Sequence, residues 1–569
     1  MVPRRAGHAR HNGVVDDEWG ITDGYHDLDG TWHATSDETR ARLRVAMGEL
    51  GEVPPMWFVE QGTGHDLWGP CRVVVEGSSA SDRDLSPPVT RLPHDLPLGY
   101  HHLVPVDGGP ATQLIVHPST CPPLPEGWGA AAQIYALWSE DSWGIGDLHD
   151  LRRLAQRVAD AGGTALMMSP MHQPAPTLPQ EPSPYYPSSR RTRNPMLLGI
   201  DAPVPASLRC DPGHLISHDD VWIAKRSVLE AEFDAVEDPP DPGSVSIWNA
   251  RCDTLRDDWA LWPETVGNGR DDPDLLQRAR FHEWLQLTFD DQLAAVAATG
   301  ISLIGDLAIG FAPHGADAYE YRDMLADGVR IGSPPDPFNA AGQDWGIPPF
   351  VPWKLKAAGY QPFIDTLRAA FRGVAGLRID HVMGLFRQYW IPLARPIKIA
   401  IPRTGAYVRF PAEDLLAILC LEATRADAFV IGEDLGTVEP EVRAMLAARN
   451  IGCTKVLWFE PDPPSQWPIA SLATITTHDL PTIATMFARP EGDPERARLA
   501  AVAPGATTAQ QAIDAAHDAL LNSPARLRLL STDDLAAAEQ QPNLPGTNVY
   551  PSWRIRLPLS VDELPITPR

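Results

Sequence analysis

Cysteine is scarce in this sequence: Cys71, Cys121, Cys210, Cys252, Cys420 and Cys453 are the only six in 569 residues. No two lie at a CxxC spacing, so neither a disulfide framework nor a zinc ribbon organises the chain. Long apolar runs are missing as well, and no segment approaches the ~18 residues a membrane span needs. The start, MVPRRAGHARHNG, is basic but leads into no apolar stretch, so a secretory or twin-arginine signal lacks its hydrophobic region. Basic residues are in deficit, 47 against 74 acidic, for a formal net charge of −27. Such a surface repels phosphate backbones and anionic lipid, which argues against nucleic acid or a membrane as a partner. These absences predict a soluble, reduced, cytoplasmic protein.

What is present points to a large folded body. Hydrophobic residues make up 43%, close to the globular norm. The 58 prolines are close to twice the usual ~5% and predict long, stiff loops. The length fits roughly three or four domains, or one large barrel with additions.

Residues 1–125 read as an N-terminal extension with a small, mostly β domain. A helical stretch covers Asp37 to Leu50, and β-branched or alternating runs follow at Cys71 to Glu76 and Thr112 to His117. The Pro-rich run from Ser119 to Gly127 is the expected boundary. From there to 569 the period changes. An apolar strand is expected over Gln133 to Trp138, then a helix with Leu148, Leu151, Leu154, Ala155 and Val158 on one face, then a strand over Ala165 to Met168. Further strands are expected at Ser302 to Ile309, Gly376 to Ile379, Phe429 to Gly432, Lys455 to Phe459 and Ala473 to Thr476. This alternation predicts a parallel (β/α)8 TIM barrel, with large loop insertions at 171–195 and 331–353.

Four of these strands run into carboxylates: Asp306, Asp380, Glu433 and Asp479. One Asp after a strand is most often a helix N-cap. Four at the carboxyl ends of barrel strands, two of them beside Arg or His, converge on one pocket instead. Arg378 and Asp380 are two apart on a strand and so face the same way. Facing inward, the guanidinium would keep Asp380 ionised, as a nucleophile requires. Glu433, beside other carboxylates, should have a raised pKa and carry a proton to a leaving oxygen. Such a split pair is what glycosidic bond cleavage demands.

Several longer motifs then carry a resemblance. GLRIDHVMGLFRQYWIP (376–392), VIGEDLGTVEPE (430–441), TTHDLPT (476–482) and QIYALWSEDSWGIGDLHDL (133–151) closely resemble 4-α-glucanotransferases of the amylomaltase, or disproportionating-enzyme, family. So do EPSPYYPSSRRTRNP (181–195), SPPDPFNAAGQDWGIPP (333–349), NLPGTNVYPSWRIRLP (543–558) and LPLGYHHL (96–103). The first 90 residues carry no such motif. The resemblance implies a retaining transfer of α-1,4-glucan segments, with Asp380 as nucleophile, Glu433 as general acid/base and Asp479 as the acid that stabilises the transition state. It implies that Arg378, Asp306 and His478 bind sugar or orient the nucleophile, and that Tyr185 or Tyr186 supplies an aromatic ring near the −1 subsite. Asp336 and Trp345 would belong to a loop over the acceptor side. Donors would be α-1,4-glucans and maltooligosaccharides, acceptors glucose or maltooligosaccharides, with no metal or organic cofactor. Two departures, Gly305 before Asp306 and Leu480-Pro481 after Asp479, leave the carboxylates in place and bear only on subsite contacts.

Other signals are weaker. Gly144 and Gly146 lack the third glycine of a dinucleotide loop, because position 149 is His. His282 and Glu283 open an HExxH that Gln286 breaks, which favours an ordinary helix. Arg190, Arg191 and Arg193 fit loop anchoring or sugar contact better than phosphate binding. Trp138, Trp143, Trp345, Trp390 and Trp553 are all stacking candidates; most are expected to pack, and Trp345 is the best candidate to stack on sugar. His101 and His102 fall on an expected edge strand and need no function. An α-glucan hydrolase would share the carboxylates, and a silent glucan-binding protein would have lost one of them.

Overall fold

Eight short apolar strands pair in the order in which they occur along the chain. The computed structural model describes residues 15–27, 29–77, 88–263, 272–335, 339–394, 400–436, 438–547 and 549–566. After a two-stranded antiparallel hairpin (Gly24–His26 and Trp32–Ala34) comes a five-stranded sheet, built from β1 (Met56–Glu60), β2 (Asp66–Val74), β3 (Val89–Arg91), β4 (Gly99–Pro105) and β5 (Thr112–His117). The barrel follows: β6 (Gly127–Ala132), β7 (Ala165–Met168), β8 (Ser302–Leu307), β9 (Gly376–Ile379), β10 (Phe429–Gly432), β11 (Cys453–Val456), β12 (Ser471–Thr474) and β13 (Leu527–Ser531). All its pairings are parallel, β13 lies against β6, and a bridge between Ile431 and Gly452 joins β10 to the start of β11. This is a (β/α)8 barrel.

Helix α1 (Asp37–Met47) precedes the first sheet, and the barrel's crossovers carry α2 (Leu148–Asp160), α3 (Pro273–Ala297), α4 (Gln361–Phe371), α5 (Ala412–Arg425), α6 (Pro440–Ala447) and α7 (Ala509–Leu521). Between β11 and β12 there is only a 3-10 turn, Pro464–Gln466. Asp147 caps α2 in a reciprocal capping box with Asp150. The buried Lys225 amino group meets Asp147 Oδ2 at 3.1 Å and the carbonyls of Met196 and Leu198 at 3.0 and 2.6 Å. The Gly144–Asp147 stretch is therefore a helix start, and Gly146 is required because a Cβ there would lie 2.0 Å from the Ile134 carbonyl oxygen.

The period of two along the strands divides the barrel from its shell. Leu377 and Ile379 face the helices, in one cluster with Leu367, Leu416 and Leu419. Ala165, Ile304, Phe429, Ile431, Leu472, Leu527 and Leu529 form the apolar lower filling. Gly376 leaves room for Phe429, whose ring tip would be 2.3 Å from an added Cβ. Continuing two residues from Ile304 and Gly376 brings Asp306 and Arg378 into the upper layer, and they are directly paired in the β8–β9 register. A four-stranded antiparallel sheet (Gln343–Asp344, Val329–Ser333, Arg387–Pro392, Ala406–Arg409) is inserted around β9, and α1 packs against it through Leu43 and Met47. Among the described residues no helix is long and apolar enough to cross a membrane.

Three expectations need correction. Gln133–Trp138 is not a strand: β6 ends at Ala132, and Ile134–Ala136 form a 3-10 turn. Ile134, Tyr135, Ala136 and Leu137 are apolar because they are buried in one core cluster with Leu148 and Leu151 of the following helix and Leu166 and Met168 of the next strand. The strands expected at 455–459 and 473–476 begin earlier, at Cys453 and Ser471. His101 lies on β4, an interior strand, and is buried, with Nδ1 accepting from the Glu76 amide at 3.0 Å and Nε2 facing the Pro97 carbonyl at 2.8 Å.

Candidate active site

A cleft of about 1030 Å3 opens at the carboxyl ends of the strands, and Tyr185, Trp345, Asp380, His381, Glu433, His478 and Asp479 all line it. Asp380 and Glu433 directly follow β9 and β10. Asp479 lies five residues beyond the end of β12, on a loop.

Arg378 is the hub. Its Nη1 donates to both Asp306 oxygens at 2.7 and 2.8 Å and to Asp380 Oδ1 at 3.0 Å. The Tyr185 hydroxyl donates to Asp306 Oδ2 at 2.7 Å and lies 3.1 Å from His478 Nδ1. Its ring stacks on His478 with centroids 4.5 Å apart. Tyr186 points elsewhere, its hydroxyl donating to the Gly346 carbonyl at 3.4 Å, so Tyr185 is the ring at the carboxylates. Trp345 meets His381 edge-on at 5.2 Å. Asp336 lies outside the described residues.

The two strand-end acids are held differently. Both oxygens of Glu433 accept backbone hydrogens, Oε2 from His381 at 2.9 Å and Oε1 from Leu435 at 2.7 Å, which fixes the carboxyl plane. Burial nevertheless raises its pKa, against the pull of Arg378 and these amides. Asp380 also departs upward, to about 6, because burial and the charges of Asp306 and Glu433 outweigh Arg378. Arg378 still pulls the Asp380 pKa down, but it shares its charge with Asp306, which keeps both oxygens against it. Asp479 moves the other way. Burial opposes ionisation, but His478 and the Asn543 amide hold its pKa below the usual value. His478, 3.5 Å from Asp479, is raised in turn.

The C-terminal segment supplies contacts that no single residue signal had indicated. Asn543 Nδ2 donates to Asp479 Oδ1 at 2.6 Å, the Asn543 amide to the His478 carbonyl at 3.0 Å, and Gln541 Nε2 to the Asp479 carbonyl at 3.1 Å. Trp553, one of the stacking candidates, stands 5.4 Å from both the Tyr185 and His478 rings. It and His381 hold φ of 62° and 44°, a left-handed backbone rare outside glycine and frequent at functional sites. The 543–558 motif was the available signal, but nothing in it says which side chain turns inward.

The basic cluster serves as anchoring. Arg190 reaches the Ala308 and Ile309 carbonyls, Arg191 pairs with Asp317 and Glu320, and Arg193 binds the Ala369 and Arg372 carbonyls. His282 is buried in α3, 3.0 Å from Asp253. Among the described residues, no three potential ligands gather where a metal ion could be held.

Over 573 aligned residues, the chain is 34% identical to the 4-alpha-glucanotransferase of Mycobacterium tuberculosis (strain H37Rv), covering 82% of this chain and 77% of the relative. The Haemophilus influenzae enzyme of the same name is 32% identical over 69% of this chain and 66% of its own. The crystal structure of amylomaltase from Corynebacterium glutamicum superposes with a TM-score of 0.78, 29% identity and 96% of each chain covered. Amylomaltase from Streptococcus agalactiae, solved in complex with acarbose, shares the fold at a TM-score of 0.64 and 18% identity, over 76% of this chain and 95% of its own. The family profile described as 4-alpha-glucanotransferase matches residues 132–560, a span that runs from the end of β6 through all the carboxylates to the Asn543 and Trp553 contacts, and the chain belongs to that family.

Proposed function

We propose that this 4-alpha-glucanotransferase works by double displacement at Asp380 and Glu433. Asp380, ionised, attacks the anomeric carbon of an α-1,4-glucan while Glu433 gives its proton to the departing glycosidic oxygen. The glucosyl ester on Asp380 is then opened by the 4-hydroxyl of an acceptor sugar, whose proton returns to Glu433. Net configuration is retained and no redox change occurs. Asp479 and His478, ionised as a pair, would grip hydroxyls of the reacting ring, and Tyr185 would form its floor. Trp345 would face the acceptor, and Asp336 is assigned to the same loop. Arg378 and Asp306 would orient the nucleophile.

The observation that carries this reading is one cleft holding a carboxyl fixed by two backbone amides opposite a carboxylate gripped by an arginine. The donors would be α-1,4-glucans and maltooligosaccharides, the acceptors glucose or maltooligosaccharides, in accord with the acarbose bound by the streptococcal relative. We also assign residues 1–125 to an N-terminal unit, since β5 ends at His117 and β6 begins at Gly127. A cytoplasmic location fits six unpaired thiols.

The test is incubation with maltotriose and separation of products by length over time. Transfer gives glucose and a ladder of longer oligosaccharides at constant reducing ends. Glucose and maltose with rising reducing ends would overturn it in favour of hydrolysis.

A further inference from the structure

The N-terminal sheet turns one face to the barrel. Phe58 on β1 stands 6.2 Å from the Tyr360 ring, and Met56 and Tyr100 join the same cluster with α4 and α5. Alternation along β1 sends Trp57 and Val59 to the other face. There Val59 is buried in the sheet's own small core, with Cys71, Leu103 and Leu114, and Trp57 lies partly buried against its rim.

Strand β2 slips register between Asp66 and Cys71 and carries Trp68 over that rim. The Trp57 and Trp68 rings are 6.4 Å apart with planes inclined by 53°, and Trp68 is 48% exposed. His65 meets Trp57 edge-on at 5.3 Å. Polar groups fringe the rings: Arg91 pairs with Asp66 at 3.0 Å, and His65 Nε2 lies 3.1 Å from the Thr63 hydroxyl.

We infer that Trp57 and Trp68 form a second binding site for α-1,4-glucan, outside the catalytic cleft. This rests on the reading of the substrate given above. A glucosyl unit presents a C–H face that indole covers well and an equatorial rim of hydroxyls that needs charged or polar partners at the ring edges. Successive units of an α-1,4-linked chain turn relative to each other, so a flat platform meets only one of them face-on, whereas two inclined rings can each take one. Asp66, Arg91 and His65 supply the edge partners. A protein partner fits less well, because two rings within a charged border fall far short of the ~800 Å2 per side of a stable interface. Tethering a long glucan here raises its effective concentration at the cleft, while a trisaccharide is too short to gain.

The experiment is affinity electrophoresis of the full chain through gels containing amylose, with saturating acarbose added to occupy the cleft. Wild-type migration should stay retarded. Trp68→Ala should weaken the apparent affinity for amylose about tenfold, leave maltotriose turnover within twofold, and regain most of the retardation as Trp68→Phe. Unchanged retardation of Trp68→Ala overturns the site, as does a concentration-dependent oligomer that only this variant loses. A fold-independent reading comes from amide exchange of the wild-type chain. Amylose plus acarbose should slow exchange over residues 63–68 beyond acarbose alone, and equal exchange overturns the proposal. Failure of the maltotriose ladder itself would indict the transferase mechanism instead, since that assay does not depend on the tryptophans.

Discussion

Arg378 and Asp380, two residues apart across the end of β9, touch through a single nitrogen, Nη1 at 3.0 Å, and that nitrogen is closer still to Asp306. Asp380 is therefore gripped without being strongly acidified, and its pKa stands at about 6. Activity requires this group ionised, so the rate should fall as pH drops through about 6. Glu433 must be protonated, and its pKa is raised, so activity should also fall as pH climbs past that raised value. The two titrate together, and the singly protonated pair is the active form. Replacing Asp306 by Asn removes a like charge and turns all of Arg378 toward Asp380, so the acid limb of kcat/KM should move to lower pH. A limb that stays in place would remove Asp306 from the tuning.

Asp380→Asn should abolish the covalent glucosyl adduct, read by mass spectrometry of peptides after rapid acid quench. An adduct on any other side chain would relocate the nucleophile.

Glu433→Gln should slow transfer from maltotriose by ~10²–10⁴-fold, about 3–5 kcal/mol of barrier. With α-glucosyl fluoride, whose leaving group needs no proton, the same variant should still form the adduct at a near-normal rate. Equal loss on both donors would mean that Glu433 does not act as the acid.

Asn543 holds Asp479 at 2.6 Å. Asn543→Ala should lower kcat on maltotriose about tenfold, the equivalent of roughly 1.4 kcal/mol. Asn543→Asp should be worse, because it sets a second negative charge against Asp479. An Asp variant as active as the Ala variant would contradict this.

Lys225 is fully buried, and its Asp147 partner caps α2. Lys225→Ala strands that carboxylate and two carbonyls, and the expected cost is ~3–5 kcal/mol of stability. A thermal midpoint within a degree of wild type would count against it.

Much of this was legible in the residues and some was not, for physical reasons. Asp380 and Glu433 stand out because each directly follows a four-residue buried strand whose register is fixed by its neighbours. Strand β6, Gly-Trp-Gly-Ala-Ala-Ala, has no β-branched residue, and its backbone approaches β7 so closely that a Cβ on Gly129 would lie 1.8 Å from the Ala165 carbonyl oxygen. Propensity therefore misplaced it onto the more apolar Gln133–Trp138. Strand β13 escapes the sequence as well, since Leu-Arg-Leu-Leu-Ser has no β-branched residue and reads as a continuation of the helical pattern on either side. The direction of the Asp380 shift could not be read from the Arg378 spacing, because it depends first on burial and then on Asp306, 72 residues away in sequence, claiming the same guanidinium. Asn543 and Trp553 come from a loop with no period, and their aim is set by tertiary contacts alone.

The clamp on His478 and Asp479 separates closing the barrel from completing its cleft. Residues 541–553 add no strand to the barrel, yet they bring Asp479 its amide partner and the aromatic wall Trp553. A substitution that loosens this stretch should therefore lower activity before it lowers the midpoint of unfolding.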